Sequence, residues 1–227
     1  MRPLTFGMVT EGPVDVEVLS HIILKVLPGK HRFLPIQPDL SETEGLGVKK
    51  HSNGWKGVLT WCEASAEGDG ILSYMDQTNV DVLIIQVDAD IARDAEINCA
   101  RPCPMAEDTV IEIEKLIKEK LKRENFHDRI ICCIPSDNTE AWALVAFDND
   151  RQYHGEANKH VECVHDPDDI LSKPPFRLIR RKDGKPKKNV SLYREQLIPT
   201  IVERWDYIRE YCSQAEKLHQ RLLQLSE

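Results

Sequence analysis

The chain has 227 residues, which is the size of one large domain or of one domain with a small appendage. Apolar residues make up 41% of it, but no apolar run approaches the roughly 20 residues that a bilayer-spanning helix needs, so we expect no membrane partner. The formal net charge of −8 argues against a protein that coats nucleic acid through its overall charge.

The first half of the chain alternates between strand and helix patterns. The predicted elements are a strand at 4–9, a helix at 14–27, a short edge strand at 33–36, a surface loop at 39–54, helical segments at 55–66 and 70–75, and a strand at 80–87. The last of these shows no alternation of apolar and polar side chains, which is typical of a central strand covered on both faces. Pro35 favours an edge position for the second strand.

The second half continues the alternation and then loses it. We predict a loop at 91–105, an amphipathic helix at 106–124, a buried strand at 129–134, a helix at 139–147, and a final helical segment at 191–225 that is interrupted near Pro199. Residues 148–189 are polar, contain prolines and have no clear period. Because this stretch is longer than an ordinary loop, we interpret it as a functional insertion or a partly mobile segment.

The order of these elements implies parallel strand pairing with right-handed crossovers. The predicted fold class is therefore α/β, a mostly parallel, Rossmann-like sheet flanked by helices, with a C-terminal helical extension. We expect three parts: a metal-binding domain at 1–147, a basic loop or insertion at 148–190, and a helical segment at 191–227 that packs on the same domain.

Two acidic motifs follow strands of the predicted sheet. Glu11 to Asp15 read Glu-Gly-Pro-Val-Asp directly after the first strand, and Asp88-Ala89-Asp90 follow the apolar strand at 80–87. The carboxyl ends of parallel strands open into a shared crevice, so these acids are expected to converge. If the strand continues through them, Asp88 and Asp90 project to the same side.

Converging carboxylates repel one another unless they are protonated or bridged by a cation. Mg²⁺ and Mn²⁺ prefer carboxylate and water oxygens, so we predict a site for one of these ions. Glu11 would act as a ligand or as a general base, and Asp88 and Asp90 as ligands. Asp15 would bind a second ion or stabilise the positive end of its helix, and the residue pattern leaves both roles open.

Glu140 begins the predicted helix at 139–147. Asp137, Asn138 or Thr139 could cap that helix, with Glu140 completing a capping box. A metal-ligand role for Glu140 is the alternative, and the sequence does not decide between the two.

A local basic segment stands out in this acidic chain. Its cations are Arg177, Arg180, Arg181, Lys182, Lys185, Lys187 and Lys188, with a single acid, Asp183, among them. Lysine and arginine neutralise phosphates without reading sequence, so we predict nucleic-acid contact here, with a solvated loop as the alternative. Lys187 and Lys188 are candidates for a lysine that stabilises the transition state, and we favour Lys188 for catalysis.

The seven cysteines are expected to be reduced, because the N-terminal residues do not form a secretory leader pattern and we expect a cytoplasmic protein. A zinc site is an open alternative. Its ligands would be Cys99, Cys103, Cys163 and His165, which have only a loose match to zinc-ligand spacing.

The order Glu-Gly-x-x-Asp and then Asp-x-Asp, each after a strand, resembles the Toprim fold. That family includes topoisomerases, bacterial primases, small RNA-maturation nucleases and nucleases of the overcoming-lysogenisation-defect (OLD) type. The resemblance covers roughly residues 4–147 and rests on Glu11, Gly12, Asp15, Asp88 and Asp90. Residues 135–147 are also similar to a Glu-Ala-Trp/Leu helix start in small stand-alone bacterial Toprim-like proteins.

The resemblance to OLD-type nucleases implies that a glutamate and the aspartates bind one or two metal ions, assisted by a downstream lysine. This chain has no Gly-x-x-x-x-Gly-Lys-Ser/Thr segment, so the ATPase half of OLD proteins is absent from it. We therefore predict a metal-dependent nuclease for DNA or RNA, by analogy an anti-phage effector that works with a separate ATPase. A small-molecule phosphohydrolase and a non-enzymatic docking or sensor subunit remain alternatives, and a homo-oligomer remains open.

Overall fold

A computed structural model describes residues 2–38, 54–67, 70–97, 99–103 and 106–226. The loop predicted at 39–54 lies outside the described residues except for Gly54. None of the described helices combines the length and the apolar character that crossing a membrane requires.

The centre of the molecule is a four-stranded sheet in which every pairing is parallel. Its strands are β1 (Thr5–Val9), β2 (Arg32–Gln37), β3 (Val82–Gln86) and β4 (Ile130–Cys133), in the order β2-β1-β3-β4. The predicted α/β class with a parallel sheet is confirmed. Pro35 lies in edge strand β2, and the register between β1 and β2 shifts directly after its partner Met8.

Helices connect the strands and extend beyond them. They are α1 (Pro13–Val26), α2 (Trp55–Ser65), α3 (Gly70–Gln77), α4 (Ala106–Lys120), α5 (Glu140–Phe147), α6 (Pro167–Leu171), α7 (Val190–Leu192), α8 (Ile198–Glu203), α9 (Trp205–Tyr211) and α10 (Ser213–Leu223). Short 3₁₀ turns lie at Ala89–Arg93, Val161–Cys163 and Gln224–Ser226. The predicted α4 is longer than the observed helix, which ends four residues earlier at Lys120.

Apolar cores lie on both faces of the sheet. Val82 and Ile84 face one core with helices α1, α5 and α8–α10, whereas Leu83 and Ile85 face the other with α2, α3 and α4. This arrangement explains why β3 has no polar alternation: both of its faces are buried. Layers on both sides hold the strand ends in fixed positions, which is what a site at the sheet edge requires.

The C-terminal segment belongs to the first of these cores. Trp205 of α9 packs edge-to-face on Trp142 of α5, with ring centroids 5.5 Å apart, and both rings are buried. The predicted interruption near Pro199 is displaced. The chain stays helical from Val190 to Glu203 through a wider π turn at Tyr193–Leu197, and the break comes at Arg204. Pro199 lies in the first turn of α8, where proline is tolerated because the N–H that it lacks would have no partner within the helix.

The segment at 148–189 contains regular structure that its sequence pattern does not predict. It forms α6 and a hairpin of β5 (Arg180–Lys182) and β6 (Lys185–Lys187). Asp183 and Gly184 make the turn with φ of 53° and 78°, and an Asp-Gly pair is a strong signal for such a turn. The sequence pattern does not predict these strands, because each is three residues long and shows no alternation of apolar and polar side chains.

Candidate active site

Glu11 and Asp88 meet at the carboxyl ends of adjacent strands. Glu11 comes two residues after β1, Asp88 comes two residues after β3, and these strands pair directly. The backbone N–H of Asp88 donates a hydrogen bond of 2.8 Å to Oε1 of Glu11. The structure thus brings together two acids that are 77 residues apart in sequence.

Gln86 joins the two strand ends a second time. Its Nε2 donates to Oδ1 of Asp88 at 2.7 Å, and its Oε1 accepts the backbone N–H of Glu11 at 3.2 Å. Gln86 is fully buried. Sequence reasoning missed this residue, although a single amide within an apolar strand was a usable signal, because a buried amide must find partners.

Asp15 lies in the first turn of α1, six residues after the end of β1, and is buried. The hydroxyl of Thr139, from the segment that precedes α5, donates to its Oδ1 at 3.2 Å. Asp15 therefore faces the interior of the site rather than only the positive end of its own helix.

Asp90 is arranged differently from the prediction. The strand does not continue through it: β3 ends at Gln86, and Asp90 lies in the 3₁₀ turn Ala89–Arg93. Its backbone N–H donates to the carbonyl of Asp137 at 2.9 Å, which fixes the turn to the end of β4. Its side chain is 37% exposed and lies 3.7 Å from Arg93 Nη2, so it lines the outer side of the site.

Burial and mutual repulsion raise the pKa of all four acids. Burial raises the pKa of Glu11 to about 8, and Asp90 and Asp15 add to this effect. The pKa of Asp88 is raised well above its ordinary value, first by burial and then by Glu11. Burial also raises the pKa of Asp15, and burial together with Asp137 raises that of Asp90 to about 6. The site therefore contains more negative charge than it can hold ionised without a cation.

Lys188 supplies one positive charge to this cluster. Its Nζ lies 2.8 Å from Oε2 of Glu140. Burial acts to lower the pKa of Lys188, but Glu140, Asp15 and Asp88 outweigh it and raise that pKa well above the ordinary value. The lysine predicted for the transition state thus pairs with Glu140, one of the acids predicted to bind metal.

Glu140 does not complete a capping box. The backbone N–H of Glu140 donates to Oδ1 of Asn138 at 3.2 Å, while its own side chain turns inward and is fully buried. The hydroxyl of Tyr193 donates to its Oε1 at 2.6 Å. Both carboxylate oxygens are engaged, one by Tyr193 and one by Lys188, so the predicted capping-box role of Glu140 is wrong, whereas its metal-ligand role stays a prediction.

The chemistry of this donor set fits a hard divalent cation, because all of its acids offer carboxylate oxygens. Glu11, Asp15, Asp88 and Asp90 are the residues that would hold one. Within the described part of the chain, however, no three His, Cys, Asp or Glu side chains are already arranged around a common metal position. Binding would therefore require side-chain rotation within the cluster.

No protein-family model matches the chain, and comparisons with curated proteins and with solved structures find no match.

The basic segment divides between two sides of the hairpin. Arg180 pairs with Lys187 and Lys182 with Lys185 across the two strands, so all four side chains project from one face. All four are exposed, and in the described structure none of them has an ion-pair partner. We call this the cationic face.

Arg181 projects from the other side of the hairpin. It pairs with Asp169 at 2.5 Å and donates to Oγ of Ser172 at 2.6 Å, which fastens the hairpin to α6 and the residue after it. Its guanidinium is thus engaged within the protein, and its predicted phosphate contact stays a prediction. Arg177 is exposed and precedes the hairpin by three residues.

Two of the cysteines expected to be reduced form a disulfide, Cys103–Cys163. The zinc alternative is therefore wrong for this structure, because two of its four ligands are bonded to each other. His165 lies 3.8 Å from Oδ1 of Asp137 instead, and Cys99 is free. Sequence reasoning did not identify this pair, since 60 residues separate its members.

Proposed function

We propose that the protein is a divalent-metal-dependent nuclease with a Toprim-like arrangement of its acidic residues. The observation that carries this proposal is the cluster of Glu11, Asp15, Asp88 and Asp90, whose pKa values are raised by burial and crowding. Such a cluster is stabilised by a multivalent cation, and phosphodiester hydrolysis is a reaction that two carboxylate-bound cations promote.

When bound, Mg²⁺ or Mn²⁺ would activate a water molecule and neutralise charge on the phosphoryl oxygens. The residues of the chain supply the remaining chemistry. Glu11, whose carboxylate lies beside Asp88 at the strand ends, is suited to accept a proton from the attacking water once a bound cation has lowered its pKa. The ammonium of Lys188 is suited to stabilise negative charge that develops on the phosphate.

The cationic face favours a polymeric substrate over a small phosphate. Its four cations lie on the hairpin that ends at Lys187, directly before Lys188, so a strand bound there would lie next along the chain to the residue that pairs with Glu140. Nucleic-acid backbones carry phosphates at regular intervals, which a row of unpaired cations can follow. A separate ATPase, a homo-oligomer and a cytoplasmic location stay predictions.

The test uses purified protein with plasmid, single-stranded DNA and RNA, in Mn²⁺ or EDTA. Asp88→Asn keeps the oxygen that accepts the Gln86 hydrogen bond but removes the charge. We expect cleavage in Mn²⁺ only, and a fall of about 100-fold or more in Asp88→Asn, as for the loss of a stabilising group in other active sites.

Asp108→Asn is the matched control, since it makes the same chemical change at an exposed position on α4. It should cleave like the wild type. Cleavage that survives EDTA, or that is equal in Asp88→Asn and the wild type, contradicts the proposal.

A further inference from the structure

The ammonium group of Lys188 affects several carboxylates in this site. Lys188 lowers the pKa of four neighbouring acids at the sheet edge and of one more on α6, and it forms an ion pair with a sixth. These acids are Glu11, Asp15, Asp88, Asp90, Asp168 and Glu140. A bound metal ion would therefore act on the same carboxylate charges that Lys188 compensates in the metal-free protein.

The position of Lys188 is fixed by Glu140, which is not one of the four clustered acids Glu11, Asp15, Asp88 and Asp90. Glu140 is completely buried, and its Oε2 makes no hydrogen bond, so the ammonium 2.8 Å away is its compensation. The hydroxyl of Tyr193 holds the other oxygen of this carboxylate. A buried carboxylate with a single counter-charge is costly to separate from it.

The backbone on the far side of Lys188 is equally constrained. Asn189, the next residue, accepts the backbone N–H of Leu192 and so caps the start of α7. Tyr193 then begins the π turn one helical turn later. Lys188 and Tyr193 therefore approach Glu140 from one short, ordered stretch of chain.

We propose that the Lys188 ammonium, paired with Glu140, is the resident counter-cation of the metal-free site, and that a divalent ion entering the cluster must displace it. This inference rests on the proposed metal site and adds its regulation. Displacement leaves the ammonium free to meet a phosphate, so one residue serves the empty site and the loaded site in turn.

The first test is Mn²⁺ affinity, measured by calorimetry without any substrate. Lys188→Gln removes the positive charge and keeps an N–H donor for Glu140. Since a like charge a few ångströms away opposes cation binding, we expect Mn²⁺ to bind about tenfold more tightly to this variant. Lys25→Met removes an equal charge at an exposed site on α1 and should leave the affinity unchanged.

The second measurement uses the wild type and needs no variant to fold. The side chain of Lys188 is 32% exposed, so an amine-reactive reagent can reach it. Mn²⁺ should increase labelling of Lys188 relative to Lys25, as quantified by mass spectrometry of peptides.

Equal or weaker Mn²⁺ binding in Lys188→Gln overturns the proposal, as does unchanged or reduced labelling in Mn²⁺. Neither readout depends on cleavage. A protein that shows both effects but cuts no nucleic acid would retain the counter-cation role and lose only the nuclease.

Discussion

At the scale of single residues, Glu11 is the most informative group for a measurement on the metal-free protein. Burial and its acidic neighbours raise its pKa from 4.5 to about 8 in the folded state. A carboxyl with a raised pKa in the folded state favours folding at low pH and loses that contribution as pH rises through the folded value. The stability of the metal-free protein should therefore fall between about pH 4.5 and pH 8.

Glu11→Gln should remove most of this pH dependence. The amide oxygen can still accept the N–H of Asp88, but the group cannot ionise. One unit of pKa shift corresponds to about 1.4 kcal/mol, and coupling to the other acids shares the effect among them, so we expect the variant to be about 2 kcal/mol more stable than wild type at pH 9 in EDTA.

Urea unfolding at pH 5 and pH 9 measures this difference. The two proteins should have similar stability at pH 5, where the wild-type carboxyl is protonated. Glu195→Gln, at an exposed position, is the control and should follow the wild type at both values. A Glu11→Gln variant that is less stable than wild type at pH 9 in EDTA shows that the Glu11 charge is favourable, contrary to this account.

At the scale of elements, the β5–β6 hairpin carries charges that oppose its own folding. Arg180 faces Lys187 and Lys182 faces Lys185, and like charges directly opposite each other destabilise a strand pair. The Arg181 contacts with Asp169 and Ser172 hold the hairpin in place despite this. An arrangement that costs stability and leaves cations exposed is well suited to an anionic partner.

Removing two of these cations tests that role. In Lys185→Ala/Lys187→Ala, binding to duplex DNA in EDTA should weaken, because two phosphate contacts are lost. The slope of log affinity against log salt concentration should become less steep by about 2, since each contact contributes roughly 0.9. Fluorescence anisotropy across a salt series gives the slope.

Lys25→Ala/Lys30→Ala removes the same charge from exposed positions near the end of α1 and serves as the control. If both double variants change the slope equally, binding responds only to net charge, and the cationic face has no special role.

At the scale of the whole molecule, the sequence predicts those features that follow from local residue patterns and from the order of the strands. The unbroken apolar run of β3 indicates a central parallel strand, and parallel strands place their carboxyl ends at one edge. That reasoning is sufficient to expect Glu11 and Asp88 together. The one-sign charge of the basic segment likewise directs attention to Lys188.

Contacts that depend on tertiary packing are not predictable in this way. Tyr193 reaches Glu140 across 53 residues, and nothing in its local sequence distinguishes it from other core tyrosines. Whether the strand continues through Asp90 is not decided by the sequence, because an apolar run does not reveal where its last hydrogen bond lies. The hairpin was missed because exposed, charged strands lack the alternation by which strands are recognised.

The Cys103–Cys163 disulfide joins the segment before α4 to the 3₁₀ turn at Val161–Cys163. Cys103 lies between the turn that carries Asp90 and helix α4, whereas Cys163 lies just before His165 and α6. Cross-links that close long loops restrict the unfolded chain most, and a separation of 60 residues corresponds to roughly 4 kcal/mol in the chain-entropy model.

Cys103→Ser should therefore be about 2–4 kcal/mol less stable than the oxidised wild type, as measured by urea unfolding in EDTA without reductant. Dithiothreitol should bring the wild type down to the stability of the variant and leave the variant unchanged. Cys99→Ser, which removes a free thiol on the same segment, is the matched control and should keep the full response to reductant. A wild type that is insensitive to reductant, with both thiols titratable in the folded protein, contradicts the cross-link.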